Sequence, residues 1–314
     1  MTAVRFDGKV AIVTGAGGGL GKAYATLLAQ RGAKVLVNDL GGDFSGQGSD
    51  PGYARAAAAE IRAAGGIADA NTDSVAETKG ANAIVQQALD TWGGIDILVN
   101  NAGVVTSNGS LSAVTDENYA SDMNVAAGGT FRMMRAVWKH MMDKNYGRIV
   151  NVASGSFFGM GSAVPYPAAK GAVIGMTRGA AVATDFLKKN VRINVILPIS
   201  WSRMTTLMGP EIENAMQRDF PPERVAPVVA WLAHADVPCN GEIFSVGGGH
   251  FARVFIAETR GYASPGKDLS LEEVRDHFAQ AMQIEPFTIP KDALDEAGLH
   301  ESSVDWSVFY RFIA

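Results

Sequence analysis

Lys9-Val10-Ala11-Ile12-Val13-Thr14-Gly15-Ala16-Gly17-Gly18-Gly19-Leu20-Gly21 is the stretch from which the fold is read. A buried strand, Lys9 to Thr14, runs into a glycine-rich turn, and a helical pattern from Leu20 to Arg31 follows, closed by Gly32. Glycines allow a tight turn and let an anion approach the backbone, because no Cβ stands in the way. The helix behind them offers unpaired N–H groups and the positive end of its dipole. A glycine run by itself is compatible with a simple turn. Strand, turn and helix in this order point instead to a dinucleotide diphosphate site, with Gly15, Gly18, Gly19, Leu20 and Gly21 as candidate contacts.

The alternation continues outward. Lys34 to Asp39, Ile67 to Asn71, Ile95 to Asn100, Arg148 to Ala153, Val191 to Leu197 and Glu242 to Val246 read as further strands. Helical patterns separate them at Ala54 to Ala64, Ala76 to Trp92, Asp116 to Lys144, Pro165 to Lys188 and Glu223 to His234. Strands alternating with helices imply parallel pairing and right-handed crossovers. Runs such as Val35-Leu36-Val37 are apolar throughout, as expected when both sheet faces are covered. The expected fold is α/β: a single doubly wound Rossmann domain with a seven-stranded parallel sheet over residues 1–253. A C-terminal extension, 254–314, follows. Ser270 to Ile284 reads as a helix opened by a Ser270/Glu273 capping box. Phe287, Trp306, Phe309, Tyr310 and Phe312 suit docking on the domain or on a partner subunit. Gly41 to Gly52 is a long glycine-rich loop.

Composition excludes several functions. The chain has 314 residues, 47% hydrophobic and 19% charged, with a net charge of -5. That balance, with no Lys/Arg cluster, argues against a nucleic-acid or membrane-surface partner. No apolar run approaches the ~18 residues of a membrane span. Cys239 is the only cysteine, which fits a reducing compartment. His140, His234, His250, His277 and His300 lack metal-ligand spacing, so no metal site is expected. The start of the chain has no apolar signal core and its end, Arg-Phe-Ile-Ala, no peroxisomal address, so a cytoplasmic protein is expected.

Asp39 ends the second strand, where an acid accepts hydrogen bonds from the adenosine ribose hydroxyls. Its charge would repel a 2′-phosphate, and no Arg or Lys follows closely, which selects NAD over NADP. Asp73 and Ser74 follow the third strand, where the adenine would lie. Asn100-Asn101-Ala102-Gly103 follows the fourth. Asparagines there either brace the sheet edge or touch the cofactor. Tyr166 and Lys170 in Tyr-Pro-Ala-Ala-Lys share one helical face. A phenol near ~10 is a poor base at neutral pH, and an adjacent ammonium lowers its pKa. The pair alone occurs by chance on many helices; beside a dinucleotide site it reads as an acid/base.

Thr14-Gly15-x3-Gly19-x-Gly21, Asn100-Asn101-Ala102-Gly103, Asn124, Ser154 and Tyr166-x3-Lys170 together resemble the short-chain dehydrogenase/reductase family, in its order and near its spacings. The resemblance implies a nicotinamide-dependent alcohol oxidation with Tyr166 as base. Lys170 would hold the nicotinamide ribose, Ser154 the substrate oxygen, and Asn124 a water on the proton path. Pro198 opens the turn beside the nicotinamide.

Val37-Asn38-Asp39-Leu40-Gly41-Gly42-Asp43-Phe44, Ser202-Arg203-Met204-Thr205 and Val225 to Leu232 resemble, within that family, the units that oxidise (3R)-hydroxyacyl-CoA and also accept 17β-hydroxysteroids. A substrate with an apolar portion, acyl-CoA or steroid-like, is therefore implied, with Arg203 a candidate for the CoA charge. A dinucleotide-sensing scaffold is the non-enzymatic alternative, and the presence of Asn124, Ser154, Tyr166 and Lys170 speaks against it.

The chain departs from the family in places. Eleven residues rather than twelve separate Ser154 from Tyr166, which leaves Ser156 as an alternative. Pro198-Ile199-Ser200-Trp201 replaces a Pro-Gly type turn. Phe157, Phe158 and Met160 make the substrate side apolar. Gly171, Gly175 and Gly179 recur at steps of four, each costing up to ~1 kcal/mol in a helix interior. They suit a subunit interface of a homodimer or homotetramer, or packing on the protein's own sheet.

Overall fold

Side-chain alternation along β1 (Val10–Thr14) divides the core in two. Ala11 and Val13 join one buried cluster and Val10 and Ile12 the other, as a period of two requires of a strand covered on both faces. The computed structural model describes residues 3–43, 45–106, 109–202, 209–265, 268–300 and 305. Two compact units follow one another along the chain, 1–253 and 254–314.

In the first unit the strands are β1, β2 (Lys34–Asn38), β3 (Ile67–Asn71), β4 (Ile97–Asn100), β5 (Gly147–Val152), β6 (Val191–Ile199), β7 (Ile243–Gly247) and β8 (His250–Val254). Their order is β3-β2-β1-β4-β5-β6-β7-β8. The first seven pair in parallel, with Val10 opposite Lys34, Ile12 opposite Leu98 and Leu98 opposite Ile149. The sequence pattern predicts only these seven. β8 adds an edge strand reached through Gly248 and Gly249, whose φ values are 57° and 83°. Such a short connection can join only antiparallel neighbours.

Helices α1 (Gly19–Gln30), α2 (Gly52–Ala63) and α8 (Ala226–Leu232) supply Leu28, Ile61 and Val229 to one cluster. α3 (Thr78–Trp92) and α5 (Gly128–Lys144) supply Ile84 and Met133 to the other. The order reverses between β1 and β4, and a crevice opens at the carboxyl ends of such strands. The glycine turn lies there.

The sequence suggests one helix from Asp116 to Lys144. The structure winds α4 (Asp116–Asp122), a π stretch Met123–Ala127 and then α5. The wide turn changes the phase of the helix, so that Ala126 and Ala127 are buried with Ala169. α6 (Pro165–Phe186) starts with proline at a position whose N–H would be unpaired anyway. β6 runs on through Pro198 and Ile199, past the end of β5, where the missing proline N–H removes no ladder bond. α7 (Pro210–Asp219) has no counterpart in the sequence reading, and the Glu223 to His234 pattern forms a 3-10 turn, Pro222–Arg224, before α8.

The second unit holds β9 (Glu258–Thr259) and β10 (Phe287–Thr288), paired antiparallel, with α9 (Leu271–Ala281) and α10 (Ala293–Ala297). The Ser270/Glu273 capping box forms as the sequence suggests. Trp306, Phe309, Tyr310 and Phe312 lie outside the described residues. Among the described residues no helix is long and apolar enough to cross a membrane.

Candidate active site

The turn after β1 is tight for reasons of space. Gly15 and Gly19 have φ values of 63° and 51°, which favour glycine. A Cβ on Gly21 would stand 2.2 Å from the Gly15 carbonyl oxygen, so α1 can lie this close to the turn only with glycine there. Over Gly18 and Gly19 there is open space. Gly18 caps α1 without a side-chain bond, so the first N–H groups of the helix face that space. The cradle fits a diphosphate. Leu20 is half-buried and packs on the core, so its side chain anchors the helix beneath the cradle.

Asn101 and Ala102 hold the turn from the β4 side. Asn101 Nδ2 donates to the carbonyls of Thr14 and Gly15, both at 3.0 Å. The backbone N–H groups of Asn101 and Ala102 each donate to Thr14 Oγ1 at 3.1 Å. The Asn101 amide is thus spent on bracing, and Thr14 is a support the sequence reading missed. Asn100 Nδ2 donates to Asn151 Oδ1 at 2.9 Å, a bond across the sheet. Gly103 is exposed, and a Cβ on it would come 3.3 Å from Lys170 Nζ.

Asp39 Oδ2 accepts from the Gly17 N–H and Oδ1 from the Gly41 N–H, both at 2.8 Å. These bonds fix the carboxylate beside the turn. Asp73 is exposed beyond β3; its carboxylate accepts from Asn71 Nδ2 at 2.8 Å and its carbonyl from Asn38 Nδ2 at 2.9 Å. Ser74 Oγ accepts from the Ala76 N–H at 3.2 Å. Pro198 is half-buried opposite Val246.

At the carboxyl end of β5, Ser154 caps the 3-10 turn Gly155–Phe158 by accepting from the Ser156 N–H at 3.1 Å. Ser154 lies close enough to Tyr166 to favour its phenolate. Ser156 Oγ is buried without a partner. Of the two serines, Ser154 is the one brought to the tyrosine. Lys170 is 4% exposed and donates to the Val152 carbonyl at 2.8 Å. Its Nζ stands 5.6 Å from the centre of the Tyr166 ring.

One expectation needs correction. The sequence places Tyr166 below the ordinary phenol value through Lys170. Instead burial raises it, the Asp122 charge adds to the rise, and Ser154 acts the other way. Burial also pulls Lys170 down from 10.5 to about 8. Low polarity disfavours both charged forms, so phenolate formation at neutral pH needs a further positive charge. Asn124 lies in the π stretch. It is exposed, and its Oδ1 accepts from Arg132 Nη2 at 2.6 Å. The π turn brings Ala126, not Asn124, inward: the Ala126 Cβ lies 4.0 Å from where a Gly103 Cβ would stand.

Phe158 is 69% exposed, with Phe157 tilted against it at 6.0 Å. Phe157 also covers Gly171 of α6. Trp201 keeps its indole N–H buried without a partner. Arg203 lies outside the described residues. Gly175 and Gly179 are exposed, with nothing within 4 Å of where a Cβ would stand, so that part of the stripe is not packed on the protein's own sheet.

The family model described as short chain dehydrogenase matches residues 9–213. Peroxisomal multifunctional enzyme type 2 of Mus musculus is 40% identical over 298 residues, covering 94% of this chain and 39% of its own length. Peroxisomal hydratase-dehydrogenase-epimerase of Neurospora crassa is 42% identical over 254 residues, covering 80% and 27%. The chain therefore spans well under two thirds of both relatives. The crystal structure of a short chain dehydrogenase from Mycobacterium avium is similar with a TM-score of 0.75 and 32% identity, over 90% of this chain and 98% of that one.

Proposed function

This chain belongs to the short-chain dehydrogenase family, and on that footing we propose that it is an NAD-dependent (3R)-hydroxyacyl-CoA dehydrogenase, interconverting a secondary alcohol and a ketone. The observation that carries the chemistry is the buried Lys170 ammonium 5.6 Å from the centre of the Tyr166 ring, with Ser154 beside the same phenol. The hydroxyacyl substrate is supported by the likeness to the two peroxisomal enzymes, one of which carries hydratase, dehydrogenase and epimerase in its name.

The cradle over Gly18 and Gly19 would take the diphosphate, Asp39 the adenosine ribose, and Gly103 with Lys170 the nicotinamide ribose. When bound, NAD supplies the hydride acceptor and a positive charge. Tyr166 Oη takes the hydroxyl proton from the substrate, and Ser154 Oγ holds the same substrate oxygen in line. Bringing a phenol from even its ordinary ~10 to ~7 requires about 4 kcal/mol of differential stabilisation, and burial of Tyr166 adds to that. Lys170 supplies part of it as a buried cation. Asp39 supports NAD over NADP, because its fixed carboxylate would face a 2′-phosphate.

Phe157 and Phe158 favour a bulky apolar alcohol such as a hydroxysteroid as a second reading. The open Gly175 and Gly179 face supports a homodimer or homotetramer, and the single Cys239 supports a reducing cytoplasm. The test is a substrate screen of purified protein with (3R)- and (3S)-hydroxyacyl-CoA of several chain lengths and hydroxysteroids, each with NAD+ and NADP+. Turnover of the 3R series with NAD+ is expected. No turnover of any acyl-CoA overturns the proposal, and steroid turnover alone selects the second reading.

A further inference from the structure

Glu258, Glu296 and His300 converge in the second unit from separate places in the chain. Glu258 lies on β9, held opposite Thr288 of β10 by the antiparallel pair. Glu296 is on α10, whose start is fixed by Asp292: its Oδ1 accepts from the N–H groups of Leu294 and Asp295, both at 2.9 Å. His300 follows one turn later, and its N–H donates to the Ala297 carbonyl at 3.3 Å. Residues four apart on a helical turn share a face. His300 Nε2 stands 3.2 Å from Glu296 Oε1 and 4.0 Å from Glu258 Oε1. One ligand atom from each of the three lies within 4.8 Å of the others.

An exposed Glu–His pair at this spacing is by itself an ordinary weak ion pair. Glu258 is what such a pair does not account for. It brings a second carboxylate to the same imidazole nitrogen, and one proton on that ring cannot balance two carboxylates. Among the described residues neither carboxylate has an ion-pair partner other than His300. A divalent cation would neutralise both and take the nitrogen lone pair as well. Tetrahedral bonds of ~2.0–2.2 Å set their ligand atoms about 3.4 Å apart. The His300–Glu296 spacing already matches, and the partly exposed Glu258 side chain has room to close the rest. An imidazole nitrogen with two carboxylate oxygens is a donor set for Zn2+, whereas Ca2+ and Mg2+ take oxygen ligands. All three side chains reach solvent, which gives the ion a path of entry.

The second unit has a use for such a staple. None of its described residues is buried. It contains no cysteine, since Cys239 belongs to the first unit. Small units without a sufficient core are commonly held by disulfides or by a structural metal. The histidine spacing in the sequence does not show the site, because Glu258 arrives only through the β9–β10 pairing.

We propose that Glu258, Glu296 and His300 form a site for a divalent metal of the Zn2+ class, with water at the fourth position, that ties β9, α10 and the turn after α10 together. None of the three belongs to the nucleotide cradle or to the Tyr166 group, so the site stands or falls apart from the proposed reaction.

Full-length protein carrying no polyhistidine tag, stripped of metal with a chelator, is titrated with Zn2+ alone by calorimetry, and with Ca2+ and Mg2+ in parallel. One Zn2+ per chain is expected to bind at micromolar concentration, with Ca2+ and Mg2+ failing to compete. Glu258→Gln, Glu296→Gln and His300→Ala each weaken binding by at least about tenfold, the loss that even an outer partner of a metal ligand brings. Limited proteolysis within residues 254–300 slows with Zn2+ in the wild type and not in the variants, as binding to the folded form alone requires. Three independent exposed positions leave the question decidable should one variant not fold. Saturable binding that survives all three substitutions, or none at micromolar Zn2+, overturns the proposal and leaves the cluster as an ion pair. Loss in Glu296→Gln and His300→Ala without loss in Glu258→Gln reduces it to a two-residue surface chelate and overturns the staple. A preference for Ca2+ or Mg2+ over Zn2+ overturns it too, since the imidazole would then take no part.

Discussion

Ser154 stands close enough to Tyr166 to act on its phenol, although the chain between them is one residue shorter than the family spacing. Ser156, the alternative in sequence, holds its hydroxyl buried and unpaired. The two serines are therefore expected to behave differently. Ser154→Ala lowers kcat/KM by roughly 10² to 10³, the loss of one positioned donor. Ser156→Ala leaves kcat/KM within a few-fold and melts no lower, because an unsatisfied buried hydroxyl is itself unfavourable by ~1–3 kcal/mol. Steady-state kinetics and thermal melting check both.

Asn124 is paired with Arg132 on an exposed helix face. Asn124→Ala is expected to change stability by no more than about 0.5 kcal/mol, and kcat/KM by about twofold at most. A loss of tenfold or more in kcat/KM would place Asn124 on the proton path.

Lys170 titrates at about 8 in the folded protein against 10.5 for an ordinary lysine. Below the folded value both states hold the proton, and burial of the ammonium weakens the fold throughout. Between the two values the unfolded chain binds more protons, so stability rises with pH, by on the order of 3 kcal/mol in all. Lys170→Met loses this rise. Urea denaturation at pH about 7.5 and about 10 measures it; a wild type no more stable at the higher pH than at the lower, relative to Lys170→Met, contradicts the buried cation.

Asp39 is held by the Gly17 and Gly41 N–H groups. Asp39→Ser removes the charge facing a 2′-phosphate while a hydroxyl remains to accept a hydrogen bond. The NADP+ to NAD+ ratio of kcat/KM is expected to rise by about tenfold or more, equivalent to ~1.4 kcal/mol. An unchanged ratio would show that another group selects the cofactor.

Most of the parallel sheet is legible in the chain because its strands are short apolar runs between glycines. β3 has the bounds read from sequence, and β1 differs by one residue at its start. The glycine turn and the Tyr166–Lys170 face are legible because each is local: their geometry follows from spacing alone. What escapes is set at a distance. The π turn at Met123–Ala127, which holds Asn124, arises where helix packing overrides a 3.6-residue period. The upward shift of Tyr166 is likewise a matter of burial, which spacing does not reveal.

The central claim is that Tyr166 removes the hydroxyl proton. Single-turnover reduction of NAD+ by a (3R)-hydroxyacyl-CoA substrate, compared between wild type and Tyr166→Phe, tests it most directly. The predicted result is a loss of roughly 10² to 10⁴ in the rate of NADH formation, with NADH binding retained because the cradle and Asp39 are untouched. A Tyr166→Phe protein that forms NADH at the wild-type rate would contradict the account.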